Sequence, residues 1–269
     1  MTIDEIRFTI FLGIFILMLL LESWIPRHST VDSKPRRLGI NLSITCVDIL
    51  AVKIVFQGVV AVSVAKYAQD HGWGLLNYLD LPSGLDSIIT IVFLDLMIYL
   101  QHVVVHMVPF FWRFHAVHHS DRDLDVSSGL RFHPVEIIGS MVFKIGVVLA
   151  LGPPPVAVMV FEAILNGMAQ FSHSNIKLPL ALDKALRWAV VTPDMHRIHH
   201  SVEVDETNSN YGFNLSIWDR FLGTYLENGN KPQPDLVIGL KAFSKNEDVS
   251  FLKLIMMPMQ FVPNSPSSR

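Results

Sequence analysis

The fold is decided by residues 85–108, which read LDSIITIVFLDLMIYLQHVVVHMV. The run is mostly apolar and exceeds the roughly 20 residues that a helix needs to cross a bilayer. Four polar residues within it follow at spacings of 4, 3 and 4 and therefore share one stripe of a helix: Asp95, Tyr99, His102 and His106. Because polar and ionisable groups are costly inside a membrane, those that occur there tend to be functional. We predict a spanning helix with functional side chains on one face.

The composition also favours a membrane protein. Hydrophobic residues make up 51% of the 269 residues and charged residues only 17%, against about 25% charged in soluble domains. The mean hydropathy is +0.40. A net charge of −3 gives no indication of a nucleic-acid partner. The single cysteine, Cys46, excludes an internal disulfide, a cysteine-rich zinc module and a cysteine-ligated iron–sulfur cluster within one chain.

Four further apolar stretches accompany this helix. We predict spanning helices at about 6–24, 40–65 and 85–108, and a helical hairpin with arms at about 135–151 and 155–171. The hairpin turns at Gly152-Pro153-Pro154-Pro155, which no helix passes through undisturbed. Each arm is about 24 Å long at 1.5 Å per residue, so full crossing and deep re-entry both stay open. The predicted fold class is an all-α integral-membrane helical bundle of three spanning helices plus a hairpin.

The sequence becomes polar and mixed after the hairpin. We predict a single domain over 1–269, with a cytoplasmic helical cap at about 172–255 that completes a histidine-rich di-metal site. The tail at about 262–269 is rich in Pro and Ser, which predicts disorder. The segment Trp218-Asp219-Arg220 is expected to dock the cap at the membrane surface rather than to take part in chemistry.

Basic residues in the loops predict the orientation. The loop after the first helix holds Arg27, Lys34, Arg36 and Arg37, whereas the loop after the second offers only Lys66. Cytoplasmic loops carry an excess of Lys and Arg, so the first loop is predicted to be cytoplasmic and the N-terminus extracytoplasmic. The hairpin returns the chain to the side it left. Every histidine cluster is then expected on the cytoplasmic face.

Three histidine clusters carry the predicted chemistry. They are His102-x-x-x-His106, His115-x-x-His118-His119 and His196-x-x-His199-His200. Residues three and four apart on a helix share a face, so each cluster presents several imidazoles in one direction. Eight histidines are more than one ion can take, which indicates a pair of metal ions.

Other polar residues are candidates around these clusters. His173 ends the second hairpin arm on the same face and is predicted to be a further ligand. For His133, a structural role at the start of a helix, a substrate contact and a metal-ligand role stay open, whereas His28 and His71 are excluded. Metal-binding imidazoles normally donate their second N–H to a carboxylate or carbonyl. The candidates for that role are Asp95, Tyr99, Asp194 and Asn210, with Asp121 and Asp125 as weaker ones.

These motifs resemble those of the fatty acid hydroxylase/sterol desaturase superfamily over about 85–224. The matching segments are Asp95-x-x-x-Tyr99-x-x-His102, Trp112-Arg113-Phe114-His115-x-x-His118-His119, Arg131-Phe132-His133-Pro134-x-Glu136, Thr192-Pro193-x-x-His196-x-x-His199-His200 and Asn210-Tyr211-Gly212. The resemblance implies a non-heme monooxygenase in which two irons activate O₂ to hydroxylate, desaturate or cleave the ether bond of a lipid. It implies nine ligands: His102, His106, His115, His118, His119, His173, His196, His199 and His200. A heme-binding or ferredoxin-like region is missing from the sequence, so a separate reductase or electron carrier is expected.

Two other functions use the same ligands. A zinc-dependent membrane hydrolase would use them to activate water, since imidazole suits zinc as well as iron. A metal transporter or sensor would favour ligands near the bilayer midplane, whereas these lie at helix ends. The sequence leaves the lipid open among fatty acids, sterols, carotenoids, ether lipids and polar lipids, and it does not separate hydroxylation from desaturation.

Overall fold

A computed structural model of the chain describes residues 3–79, 81–82, 84–243 and 250–260. Within these ranges the regular structure is helical, apart from three isolated β-bridges. The helices are α1 (Ile3–Trp24), α2 (Lys34–Phe56), α3 (Ala61–Asp70), α4 (Leu85–Met107), α5 (Pro109–His119), α6 (Pro134–Leu151), α7 (Pro155–His173), α8 (Leu180–Leu186), α9 (Pro193–His199), α10 (Val204–Thr207), α11 (Ile217–Phe221) and α12 (Phe251–Gln260). The all-α prediction is confirmed. The predicted tail at 262–269 lies outside the described residues.

Five helical segments are long and apolar enough to cross a membrane by length and composition. They contain α1, α2, α4, α6 and α7. The large apolar side chains on their outer faces are exposed, as in Phe8, Ile54 and Val142. This pattern is expected where lipid rather than protein covers the surface.

The predicted continuous helix at about 40–65 is wrong. The helix begins at Lys34, next to Pro35, and ends at Phe56, because proline is well suited to a first turn. Gln57 and Gly58 then adopt left-handed backbone angles, with φ of 48° and 91°. The left-handed residue ends the helix, and α3 follows as a separate element. Hydropathy does not reveal this break because the residues on both sides of it are apolar.

The short helix α3 packs against both arms of the hairpin. Ala61, Val64 and Ala65 are buried in one cluster with residues of α4, α6 and α7. The hairpin itself turns at Gly152, whose φ is 65°. A Cβ on Gly74 would lie 2.2 Å from the backbone nitrogen of Gly152, so the two segments approach closely only because both residues are glycine. These contacts close one end of the bundle.

Polar and ionic contacts join the other end of the bundle to the segments that carry the histidine clusters. Glu22, at the end of α1, accepts hydrogen bonds from the backbone N–H groups of Val126 (2.6 Å) and Asn175 (2.9 Å). Arg37 of α2 binds Asp121 through two hydrogen bonds of 2.8 Å. The end of α4 continues directly into α5, and α7 contacts α9. Residues 174–243, here called the polar region, consist of short helices joined by loops.

Candidate metal centre

Nine histidines converge in two adjoining groups at this end of the bundle. In each group, one ring nitrogen of every member lies within 4.8 Å of the others. None of the nine is more than 3% exposed. The first group comprises His102, His106, His115, His119 and His199, and the second comprises His118, His173, His196 and His200. These are the nine residues named from the sequence, brought together from four helices and the residue after α9.

Helical geometry divides each HxxHH motif between the two groups. His115 and His119 are four residues apart and share a face of α5, so both enter the first group. His118 lies about 100° around the helix from His119 and enters the second group. In the motif at the end of α9 the assignment of positions to groups is reversed. His196 and His200 enter the second group, and His199 enters the first. Each of the two motifs therefore contributes histidines to both groups.

The ring nitrogens of these histidines have two different environments. Nε2 atoms face one another: those of His102 and His115 are 3.2 Å apart, and those of His118 and His173 are 3.0 Å apart. The Nδ1 atoms of five histidines instead bind outward-lying oxygens. The acceptors are the carbonyls of Tyr211 for His102 (2.7 Å), Arg131 for His118 (3.2 Å), Ala169 for His173 (2.7 Å) and Ser209 for His199 (2.8 Å), and the carboxylate of Glu136 for His115 (2.6 Å).

This arrangement fixes the tautomer of the five rings. A carbonyl or carboxylate oxygen only accepts, so Nδ1 carries the proton and the lone pair of Nε2 faces the centre of its group. Burial lowers the pKa of His199 to about 3 and keeps the pKa of His118, His119, His196 and His200 well below the usual range. His118, His119, His196, His199 and His200 are therefore neutral at pH 7, as metal ligands must be.

The donor set fits a pair of metal ions. Lone pairs that face one another at about 3 Å repel unless a cation lies between them. Both ring nitrogens of His106 and His119, and Nε2 of His199, are buried without a hydrogen-bond partner in the described part of the chain. Each such group costs about 1–3 kcal/mol if left unsatisfied. Imidazole binds iron, zinc, copper and nickel, so the ligand set indicates metal without selecting which.

Among the described residues, none of the four predicted orienting side chains hydrogen-bonds an imidazole, which corrects that expectation. Asp95 lies two turns, or about 10 Å, along α4 from His102, and its Oδ2 accepts from Trp218 Nε1 at 2.7 Å instead. The hydroxyl of Tyr99 lies 2.8 Å from Thr224 Oγ1. Both side chains therefore attach the polar region to α4.

Asp194 and Asn210 also act at a distance from the rings. Asp194 accepts a hydrogen bond of 2.8 Å from Arg27. Asn210 has a φ of 52°, a conformation that asparagine tolerates better than most residues. Its amide donates to the carbonyls of Met195 and Leu226. Asn210 thereby orients the next peptide, whose carbonyl accepts from His102.

The sequence analysis did not predict that Asp219 positions part of the site. Its Oδ1 accepts from the backbone N–H of Tyr211 (2.7 Å) and its Oδ2 from that of Gly212 (2.9 Å). Burial raises the pKa of Asp219 to about 6. The expected docking role of its segment is consistent with the contact between Trp218 and Asp95. Asp219 holds the loop that presents the Tyr211 carbonyl to His102.

Glu136 was also missed as a functional residue. It lies in the first turn of α6, and its Oε1 is 2.6 Å from Nδ1 of His115. The sequence analysis used the segment Arg131-Phe132-His133-Pro134-x-Glu136 only for its resemblance to the family. The glutamate within that segment was the feature that could have identified this role. His133 lies at the start of α6, where its Nδ1 accepts from Val135 N–H and its Nε2 contacts the Ile255 carbonyl. It belongs to neither group, which favours the structural role.

An ionic cluster orients the second group. Asp121 binds Arg37 at 2.8 Å and Arg131 at 3.1 Å. Burial alone raises the pKa of Asp121, but the charges of Arg37 and Arg131 outweigh burial and hold that pKa well below its usual range. Asp125 adds a bond of 2.7 Å to Arg37. The cluster fixes the segment that carries the Arg131 carbonyl, the acceptor for His118. The excluded residues, His28 and His71, lie in neither group.

One cavity borders the first group, and a groove lies beside that cavity. An inner cavity of about 210 Å³ is lined by residues of α4, α6 and α7 and reaches His102 and His115. A lateral groove of about 470 Å³ runs between α4, α5 and α6 and has a mostly apolar lining. Gln101, Glu136 and Ser140 line both spaces. The groove and the inner cavity therefore adjoin each other close to His102 and His115.

The sequence is similar to lipid-modifying enzymes. An ornithine lipid hydroxylase of Rhizobium tropici is 33% identical over 160 residues, which cover 57% of this chain and 44% of the relative. An alkylglycerol monooxygenase of Caenorhabditis elegans is 31% identical over 196 residues, covering 70% of this chain and 37% of the relative. A cholesterol 25-hydroxylase of Rattus norvegicus is 24% identical over 139 residues, covering 51% and 45%. The chain thus spans less than half the length of these relatives.

The family match covers the metal centre. No solved structure matches the chain. The family described as fatty acid hydroxylase matches residues 87–224, just over half of the 269 residues. That range contains all nine clustered histidines as well as Glu136, Asn210 and Asp219. The resemblance stated from the motifs is confirmed, and the chain belongs to the fatty acid hydroxylase family.

Proposed function

We propose that this chain is a membrane-bound lipid hydroxylase that uses O₂, two iron ions and electrons from a separate donor. The observation that carries the proposal is the pair of histidine groups at one end of helices apolar enough to cross a bilayer. Membership of the family, and relatives that are lipid hydroxylases and monooxygenases, support a lipid substrate. Desaturation of the lipid is the alternative outcome at the same site.

The nine histidines would hold the two ions, five in the first group and four in the second. Breaking an unactivated C–H bond is beyond side-chain acid–base chemistry, and a bound redox metal supplies the O₂ activation that it requires. In the balanced reaction, one oxygen atom enters the C–H bond. The other oxygen atom leaves as water after taking up two electrons and two protons from the donor. Burial of all nine rings keeps bulk water away from the ions.

The proposed orientation places the metal centre on the cytoplasmic face and the N-terminus outside, with 1–269 as one domain. Its support is the position of Arg27 and Arg37, which contact Asp194 and Asp121 at the histidine end of the bundle. Basic residues favour the cytoplasmic side. A soluble electron carrier of the cytoplasm would then have access to the polar region.

Metal analysis of the detergent-purified protein tests the ligand assignment. We expect about two irons per chain in the wild type and at most one in His118→Ala or His199→Ala, each of which removes one ligand from a different group. His71→Ala is the matched control, because His71 is exposed and belongs to neither histidine group. Unchanged iron in both ligand variants would contradict the assignment. Two zincs per chain, bound in cells with adequate iron, would favour the hydrolase alternative.

Incubation with ¹⁸O₂ and a reductant tests the reaction. A hydroxylase transfers one labelled oxygen atom to the lipid product, whereas a desaturase removes two hydrogen atoms and transfers no label. Product formed without O₂ by zinc-loaded protein would contradict the proposal. Wild type and His118→Ala should be compared in the same nanodisc preparation, so that lipid composition cannot explain a difference.

A further inference from the structure

The two cavities beside the first histidine group differ in polarity. The lateral groove is lined by aromatic and aliphatic side chains, including Phe110, Phe114 and Phe143. The inner cavity is lined by Lys144 and Asn166 together with the two metal-ligand candidates, His102 and His115. A substrate that was apolar throughout would have no use for a cation and an amide at the inner end. The lining instead fits an amphiphile with its polar part innermost.

Lys144 is the charged group of the inner cavity. Its Nζ lies 3.1 Å from Glu162 Oε1, and Arg7 approaches the other oxygen of Glu162 at 2.7 Å. Among the described side chains, these two cations therefore share one carboxylate. All three residues lie in helices apolar enough to span the membrane, where incompletely neutralised charge is costly. The side chain of Lys144 keeps 16% of its surface exposed, and it lines the cavity. An acidic group there would complete the charge balance.

The spacing of the cation from the metal centre indicates which part of a lipid would react. Glu136 contacts His115, and Lys144 follows eight residues later on the same helix, about 12 Å along its axis. The groove joins the cavity between them, where Gln101 donates a hydrogen bond of 2.7 Å to Ser140. A chain that extends from Lys144 through this junction passes the candidate metal ligands about 12 Å from its polar end.

We propose, on the basis of the proposed function, that the substrate is a single-chain amphiphile with an anionic group, a carboxylate or a phosphate. The anionic group binds Lys144, the alkyl tail lies in the lateral groove, and the carbon that reacts lies about 12 Å along the chain from the anionic group, near the middle of a sixteen-carbon chain. Arg7 and Glu162 position Lys144. The Gln101–Ser140 hydrogen bond lies at the junction through which the tail passes.

Photo-crosslinking of the full chain in nanodiscs tests this assignment. The probe is hexadecanoate with a diazirine in the outer half of its chain, and the competitors are hexadecanoate, hexadecyl phosphate and neutral methyl hexadecanoate at pH 8. We expect crosslinks to groove residues in α5 and α6. A hydrogen bond to a charged group is worth enough for about a tenfold effect. At least one anionic competitor should therefore halve crosslinking at about one-tenth of the ester concentration, and the better anion identifies the head group.

Lysine variants separate a charge effect from a general loss of structure. Lys144→Met leaves the Arg7–Glu162 pair intact, and it should bring the ratio between anion and ester to about one. Lys144→Arg should keep the preference. Lys53→Met removes an exposed cation of another spanning segment and should change nothing. Equal competition by anion and ester in the wild type, crosslinks outside the groove, or a preference that survives in Lys144→Met would each overturn the assignment.

The same samples distinguish this inference from the proposed function. Crosslinking requires no turnover, so an anion preference without any oxygenated product would leave the binding site standing and would count against the hydroxylase. An oxygenated product without an anion preference would support the hydroxylase and would overturn the proposed binding site. Where product forms from hexadecanoate, mass spectrometry should place the new oxygen near the middle of the chain. A product oxidised near the methyl end or beside the acidic group would overturn the assignment of the polar end to Lys144.

Discussion

The two histidine groups differ in their surroundings, although the same two HxxHH motifs contribute to both. The five-histidine group borders the inner cavity through His102 and His115. Within the described part of the chain, no member of the four-histidine group lines that cavity or the lateral groove. The difference indicates that a substrate in the inner cavity would contact the first group. The second group would hold the other metal ion, which does not border the cavity.

The groups also differ in the oxygens that orient them. In the first group, Nδ1 of His115 binds the carboxylate of Glu136. In the second group, Nδ1 of His118 lies against the carbonyl of Arg131, and Nδ1 of His173 lies against the carbonyl of Ala169 (2.7 Å) and the hydroxyl of Ser172 (3.4 Å); none of these oxygens belongs to a carboxylate. A carboxylate partner raises the basicity of an imidazole and adds negative charge near the ion. The substrate-facing ion would therefore be the more electron-rich of the two.

Loss of a ligand should have the largest effect, and it should be similar in both groups. His106→Ala removes a proposed ligand of the first group and His200→Ala a proposed ligand of the second. Because residues that act as a unit are not additive, we expect either change to lower the hydroxylation rate by about a thousandfold or more. His133→Ala is the control, since His133 is buried but lies outside both groups. If His200→Ala kept most of the activity, the second group would not belong to the reaction centre.

Loss of the carboxylate should distinguish the two groups. Glu136→Gln keeps an oxygen that can accept from His115 but removes its charge. Changes of this kind cost about 10–100-fold in metal affinity or activity, and here the loss should fall on the first group alone. Chelator competition, with the loss of each metal ion followed separately, measures this change in metal affinity. Glu203→Gln is the control, because Glu203 forms an exposed ion pair with Lys241. A similar loss from both groups would remove the contrast proposed between them.

Local periodicity predicted much of this structure. A spacing of three and four residues determines which side chains share a helix face, so the convergence of His102, His106 and their partners follows from short stretches of sequence. The hairpin turn was equally visible, because Gly152 and three prolines stop a helix. Four of the five predicted membrane helices agree closely with the observed bounds.

Contacts between distant segments were not predictable in the same way. Asp95 shares a stripe with His102, but only the fold shows that Trp218 reaches its carboxylate. The oxygens that orient four of the imidazoles are backbone carbonyls, which every residue possesses and no motif marks. The role of Asn210 depends on a left-handed backbone angle. Tertiary packing, rather than residue type, decides these cases.

The loop that presents Tyr211 should show a smaller effect, confined to the first group. Asn210→Ala removes the side-chain hydrogen bonds to Met195 and Leu226 and also places a Cβ-bearing residue at a φ of 52°, which costs about 1–2 kcal/mol. Asn210→Gly removes the same bonds without that backbone cost. The melting temperature in detergent should therefore fall further for Ala than for Gly, and iron affinity should weaken in the first group. Equal melting temperatures would show that the backbone angle carries no strain.

The smallest effect should come from Gly129, which lies against the second group. A Cβ at this position would lie 3.2 Å from both the Ala169 carbonyl and Cγ of His173, and that carbonyl accepts the hydrogen bond from His173. Gly129→Ala should therefore displace His173 by a few tenths of an ångström and weaken the second iron a few-fold, leaving the first unchanged. Gly139→Ala is the control, since a Cβ there meets open space. A greater loss of the first metal ion than of the second would mean that the groups do not respond separately, because the imidazole nearest to a Cβ on Gly129 is that of His173, in the second group.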